Sequence, residues 1–205
     1  LLERVAAEGV DAVLISHGHP DHCADLHPLL RARVLGPEAP PALPVHALPG
    51  AVDRVLALDG PGTLDGASAV VEFTAGDSLE VGPFRVDTWP LPHYVANAGM
   101  RLTADGQVLA YTGDTGPSRA IVELARDADL FLAEASFPER VPADAARYLS
   151  SAWQAGEAAA VAGARRLLLT HLLPGTDPVL AEDAARRAYR GELTVATGGV
   201  VVELG

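Results

Sequence analysis

Apolar positions fall in short blocks between polar clusters, and the spacing inside each block predicts its element. In 1–8, Leu1, Leu2, Val5 and Ala6 share one side of an amphipathic helix that Gly9 would stop. Residues 11–16, DAVLIS, read as a short buried strand, and 22–34 as a helix. The stretch 35–68 is rich in Pro, Gly and Ala, with a strand signal at 44–48 and a helical one at 50–57. It reads as a loop-rich insertion over the surface. Strand signals then crowd together at 69–74, 79–81, 84–91, 99–103 and 107–112. The last two flank Asp105-Gly106, a pair suited to a two-residue hairpin turn. Beyond Asp114 the pattern alternates: helix 118–126, strand 129–134, helix 151–164, strand 166–170, helix 178–190, then strands at 193–197 and 200–204. Strands first and alternation later predict an α/β (α+β) protein whose sheets are covered by helices. A single domain over 1–205 is the expectation at this length.

Composition narrows the class. Apolar residues are 49% and charged residues 20%, the balance of a folded chain. No window approaches the roughly 20 apolar residues of a membrane span. The net charge is −12 and all 15 cations are arginines, which argues against a general binder of polymeric nucleic acid, since phosphate backbones need a basic face. The partner expected instead is a small-molecule substrate. One cysteine, Cys23, excludes an internal disulfide and reads as a small buried thiol. No basic start with a small-residue cleavage site is present, so the expected location is cytoplasmic. The chain begins at Leu1 and its only methionine is Met100, so it is expected to be incomplete at its N-terminus.

The histidines carry the chemistry. Three lie in one string, His17-Gly18-His19-Pro20-Asp21-His22. A loop leaving a strand turns residues i and i+2 toward a common point, and imidazole and carboxylate donors suit zinc and similar borderline cations. Asp21 and His22 lie past the turn and can serve a second ion. A solvated cap for the helix at 22 would need one Asp and not three histidines. His93 follows the apolar run 84–91, Asp114 follows 107–112, and His171 follows Leu167-Leu168-Leu169-Thr170. Ligand-type residues ending several neighbouring strands converge on one rim of a sheet. His27 and His46 lack this context and read as surface or packing residues.

This constellation resembles the metallo-β-lactamase superfamily from about residue 10 to 205. The matching pieces are SHGHPDH at 16–22, LPHY at 91–94, YTGDT at 111–115 and LLLTHLLPGTD at 167–177. The resemblance implies a four-layer αββα sandwich with two divalent metal ions at the sheet edge, zinc first, with manganese or iron as alternatives. On that pattern His17, His19 and His93 hold the first ion. Asp21, His22 and His171 hold the second, and Asp114 bridges both. The family's sandwich begins with several strands ahead of the point where this chain starts, and those strands are expected to be missing here.

With Asp114 at the bridging position and no cysteine ligand, the chain does not look like the cysteine-containing true β-lactamases. The stretch 148–177 resembles the tRNase Z-like phosphodiesterase branch, closest to bacterial members treated as cyclic-nucleotide phosphodiesterases. That branch carries a histidine just before the helix leading to the last ligand, where it helps protonate the leaving oxygen. Here Tyr148 and Leu149 stand in that place. The implied activity is hydrolysis by a hydroxide bridging two metals, with Asp21 orienting the nucleophile or shuttling its proton and Asp114 fixing the metal separation. The expected substrate is a small phosphodiester such as a cyclic nucleotide, because no long basic arm of a tRNA-processing member is present. A lactone, thioester or other acyl bond is the alternative, and a non-catalytic metal-binding module the third reading. Ser16, Thr112, Thr170 and Glu134 are candidates to orient the ligands through hydrogen bonds. Tyr94 and Asn97, just after His93, are candidates to touch substrate. Members of the family often form homodimers, and no interface is marked in this sequence.

Overall fold

A computed structural model of the chain describes residues 5–36 and 40–204. Two compact units divide it, one running to Thr74 and the other beginning at Ala75.

The first unit holds β1 (Val13–Leu14), α1 (Pro20–Cys23), α2 (Leu26–Leu35), β2 (Leu43–Ala47), α3 (Asp53–Leu56) and β3 (Ser68–Glu72). Its strands form a parallel sheet in the order β1-β2-β3. Parallel neighbours need crossover connections, and the helices supply them. Leu43, Val45 and Ala47 alternate along β2 and are wholly buried with Leu26, Leu29 and Leu30 of α2. The guanidinium of Arg33 is buried too and donates to the carbonyls of Ala7, Val10 and Pro41, which fastens irregular backbone to α2.

Three expectations change here. The helix over 22–34 is broken into α1 and α2, because Pro28 has no N–H to give the Ala24 carbonyl. The stretch 35–68 is only in part a surface insertion: residues 57–66 are turns, but Leu43–Ala47 is the central strand and Val52 and Val55 join the core. Residues 1–4 of the expected first helix lie outside the described residues, and Ala7–Gly9 is a single 3-10 turn.

The second unit holds β4 (Ser78–Val81), β5 (Phe84–Leu91), β6 (Asn97–Ala104), β7 (Gln107–Tyr111), α4 (Arg119–Leu124), β8 (Leu130–Glu134), α5 (Ala152–Ala162), β9 (Arg166–Thr170), α6 (Pro178–Arg186) and β10 (Glu192–Val195). They make a seven-stranded sheet in the order β10-β9-β8-β7-β6-β5-β4. β4 to β7 are an antiparallel meander, and β7 to β10 run parallel with α4, α5 and α6 as crossovers. Asp105 (φ 50°) and Gly106 (φ 79°) close the β6–β7 hairpin with two left-handed residues, the twist such a turn requires. Ala155, Ala159 and Ala162 of α5 and Ala181, Ala184 and Ala185 of α6 are buried with Phe131, Leu167 and Leu169. The alanine bias of the sequence is therefore core.

The strand expected at 200–204 does not form. Gly199 turns the chain (φ 82°), and the segment is held by side chains, with Arg166 donating to the Glu203 carbonyl and Gln107 to that of Leu204. Among the described residues no helix is long and apolar enough to cross a membrane.

Candidate functional site

In the first unit the histidine string begins three residues after β1. His17 is wholly buried, and its Nδ1 lies 3.1 Å from Ser16 Oγ. Its Nε2 lies 3.1 Å from His19 Nδ1. The His17 and His22 rings are 4.1 Å apart, and His22 Nε2 is 3.4 Å from Asp21 Oδ2. Pro20 starts α1, so the turn of helix that carries Asp21 and His22 begins at once. Cys23 is a buried free thiol, as expected, donating to the His19 carbonyl at 3.2 Å. Burial pushes its pKa up, as does the Asp21 charge, so it is held as an unreactive thiol. His27 pairs with Asp59 at 2.9 Å beside Arg31, and His46 lies in β2, its pKa lowered by burial.

In the second unit, β5, β7, β8 and β9 run in one direction, so their C-terminal ends share one edge. That edge carries His93, Asp114, Glu134 and His171. His93 Nε2 is 3.7 Å and His171 Nε2 3.2 Å from Asp114 Oδ2. Each ring is held from behind. His93 Nδ1–H donates to the Tyr148 carbonyl at 2.9 Å, so the Nε2 side of the ring faces Asp114. The Ser136 hydroxyl lies 2.7 Å from Glu134 Oε1 and 2.9 Å from His171 Nδ1, so the Nε2 side of that ring also faces Asp114. Imidazole and carboxylate groups converging in this way suit a metal ion, and each of the three belongs to a cluster that could hold one.

The backbone around this edge is tightly tied. Asn97 is buried, and its amide donates to the Thr112 and Asp114 carbonyls at 3.0 and 2.8 Å. It positions the loop that carries Asp114, where the sequence placed it against substrate. Gly116 N–H donates to the Pro92 carbonyl at 2.8 Å, and a Cβ on Gly116 would lie 2.0 Å from the Arg147 carbonyl oxygen. Only glycine lets segment 147–148 come this close. His171 itself is left-handed (φ 59°), a conformation strained for a residue with a Cβ and frequent at functional sites.

Glu134 is buried at the end of β8. It accepts from Thr115 N–H, the Ser136 hydroxyl and Ser150 N–H. Burial pushes its pKa up to about 8, against the pull of those donors.

Of the expected orienting residues, Ser16 meets a histidine directly and Glu134 reaches one through Ser136. Thr112 instead braces backbone, donating to the Gly113 carbonyl and accepting from Glu134 N–H. Thr170 acts through its carbonyl, which accepts from Ala135 N–H. Ser136 and the Tyr148 carbonyl were missed. A serine two residues past a strand and a main-chain oxygen carry no sequence signal of their own.

The sequence matches the family described as the beta-lactamase superfamily domain over residues 2–172. The probable metallo-hydrolase YhfI of Bacillus subtilis (strain 168) is 30% identical over 203 residues, covering 97% of this chain and 81% of that protein. The crystal structure of YhfI aligns with a TM-score of 0.86 at 29% identity, over 98% of this chain and 81% of the other. A ribonuclease Z of Mycobacterium bovis (strain BCG / Pasteur 1173P2) is 29% identical over 199 residues, covering 85% of this chain and 71% of its own length.

Proposed function

The chain belongs to the beta-lactamase superfamily, with the two-sheet α/β fold of its metallo-hydrolases, and from that premise we propose a dinuclear hydrolase of a small phosphodiester such as a cyclic nucleotide. The observation that carries the reading is the convergence of His93 Nε2 and His171 Nε2 on the buried Asp114 carboxylate, within clusters that could hold metal ions. In this proposal His17, His19 and His93 hold one divalent ion, Asp21, His22 and His171 hold the other, and Asp114 serves both. Bound divalent cations supply Lewis acidity and bring the pKa of water toward about 7.

The protein's own groups do the rest. The Asp21 carboxylate, 62% exposed, takes the proton of the attacking water. Asn97 holds the Asp114 loop through its two amide bonds. Similarity to a ribonuclease supports phosphodiester chemistry, and the net charge of −12 supports a small substrate over an RNA polymer. Acyl bonds are the second reading. What favours it is Tyr148-Leu149, where a histidine would protonate an alkoxide leaving group.

The test is turnover of bis(p-nitrophenyl) phosphate by zinc- or manganese-loaded protein, beside a chromogenic lactone or thioester, with His22→Ala as control. Metal-dependent phosphodiester turnover that His22→Ala abolishes is the expected result. Turnover of the acyl substrate alone replaces this reading with the second.

A further inference from the structure

Tyr94 and Tyr148 stand out beside His93. Tyr94 is 53% exposed, although it directly follows a buried histidine. Its ring lies tilted against that of Tyr148, with centroids 4.5 Å apart and planes at 34°, and meets the His93 ring edge-on at 5.3 Å. Both tyrosines are tied to His93, Tyr94 through the chain and Tyr148 through the carbonyl that accepts His93 Nδ1–H. The pair is thus held at a fixed offset from the His93 ring. The Arg147 guanidinium lies 5.5 Å from the Tyr148 ring centroid, within cation–π range, and brings positive charge to an acidic protein.

We propose that the Tyr94–Tyr148 pair is a stacking platform for a nucleobase of the substrate, with Arg147 beside it for an anionic group. The proposal rests on the phosphodiester reading above and names the substrate class as nucleotide. A tyrosine orders few rotatable bonds on binding, so a ring already propped by a second ring gives stacking at little entropic cost. Every base has a π-face, so such a platform prefers nucleotides over sugar phosphates without selecting among bases. A pair with only a packing role would be indifferent to the base.

Calorimetric titration of the full chain with adenosine 5′-monophosphate and with ribose 5-phosphate tests this, in the wild type, Tyr94→Ala and Tyr94→Phe. The wild type is expected to bind the nucleotide about tenfold more tightly than the sugar phosphate. Tyr94→Ala brings that ratio near one, and Tyr94→Phe, which keeps the ring, preserves it. Equal affinity for the two probes, no binding of the nucleotide, or an unchanged ratio in Tyr94→Ala overturns the platform. Hydrolysis of bis(p-nitrophenyl) phosphate is read separately. Its failure with the base preference intact overturns the phosphodiester reading and leaves the platform standing.

Discussion

His171 is oriented by Ser136, a residue in no recognisable motif. The string His17 to His22 announces itself, because three imidazoles and a carboxylate within six residues have few other uses. Which way the His171 and His93 rings face is another matter, set by Ser136 and the Tyr148 carbonyl, from segments 35 and 55 residues away in the chain. Ser136→Ala leaves His171 Nδ1 without its hydroxyl partner and frees the ring to turn. Zinc affinity is expected to fall by about 10- to 100-fold, the usual effect of losing such a partner. Ser136→Thr, which keeps the hydroxyl, is expected to retain it. Calorimetry with zinc reads the affinity, and a thermal melt of the metal-free protein, its midpoint expected to fall because a buried bond to Glu134 is lost, reads the folding cost separately. Equal zinc affinity in Ser136→Ala and wild type would remove Ser136 from the ligand scheme.

Elements with strong local signals formed where the pattern put them. β5 spans 84–91 and β9 spans 166–170 as read, and Asp105-Gly106 turns the hairpin between β6 and β7. The helix read at 151–164 forms as Ala152–Ala162. Ser151 caps it by accepting from Gln154 N–H, and the Gln154 side chain accepts from Ser151 N–H in return. Ser151→Ala is expected to cost about 1 kcal/mol, measured as a shift in the urea midpoint at unchanged m-value. A shift under about 0.3 kcal/mol would mean that packing of the alanine face alone holds the start of α5. Elements failed to follow the pattern where one tertiary fact outweighed it. Pro28 divides a helix, and 43–47, read as part of a surface insertion, is covered on its buried face by α2. The apolar run 200–204 has side-chain partners and no strand neighbour.

At the scale of the whole molecule, the buried Glu134 links the edge that carries His93, Asp114 and His171 to global stability. Its pKa rises from an ordinary 4.5 to about 8 on folding, chiefly through burial. Between those values the folded protein holds a proton that the unfolded chain has released. The stability of the chelated protein is therefore expected to fall as pH rises through this window, and Glu134 adds no slope below it. Glu134→Gln removes the charge and is expected to flatten the profile. Urea denaturation in EDTA across the window checks it, and an identical slope in both proteins would sink the assignment.

The sequence alone determined the candidate ligand types, their order along the chain, most of the secondary structure and a family resemblance that the comparisons bear out. These depend on short-range spacing, and spacing is what a sequence records. The tertiary structure decided which way the imidazole rings face at the second unit's edge, the buried role of Asn97, the close approach that Gly116 allows, and the central place of β2. Each of these depends on which distant backbone atom or side chain arrives beside a residue, and no local pattern carries that information.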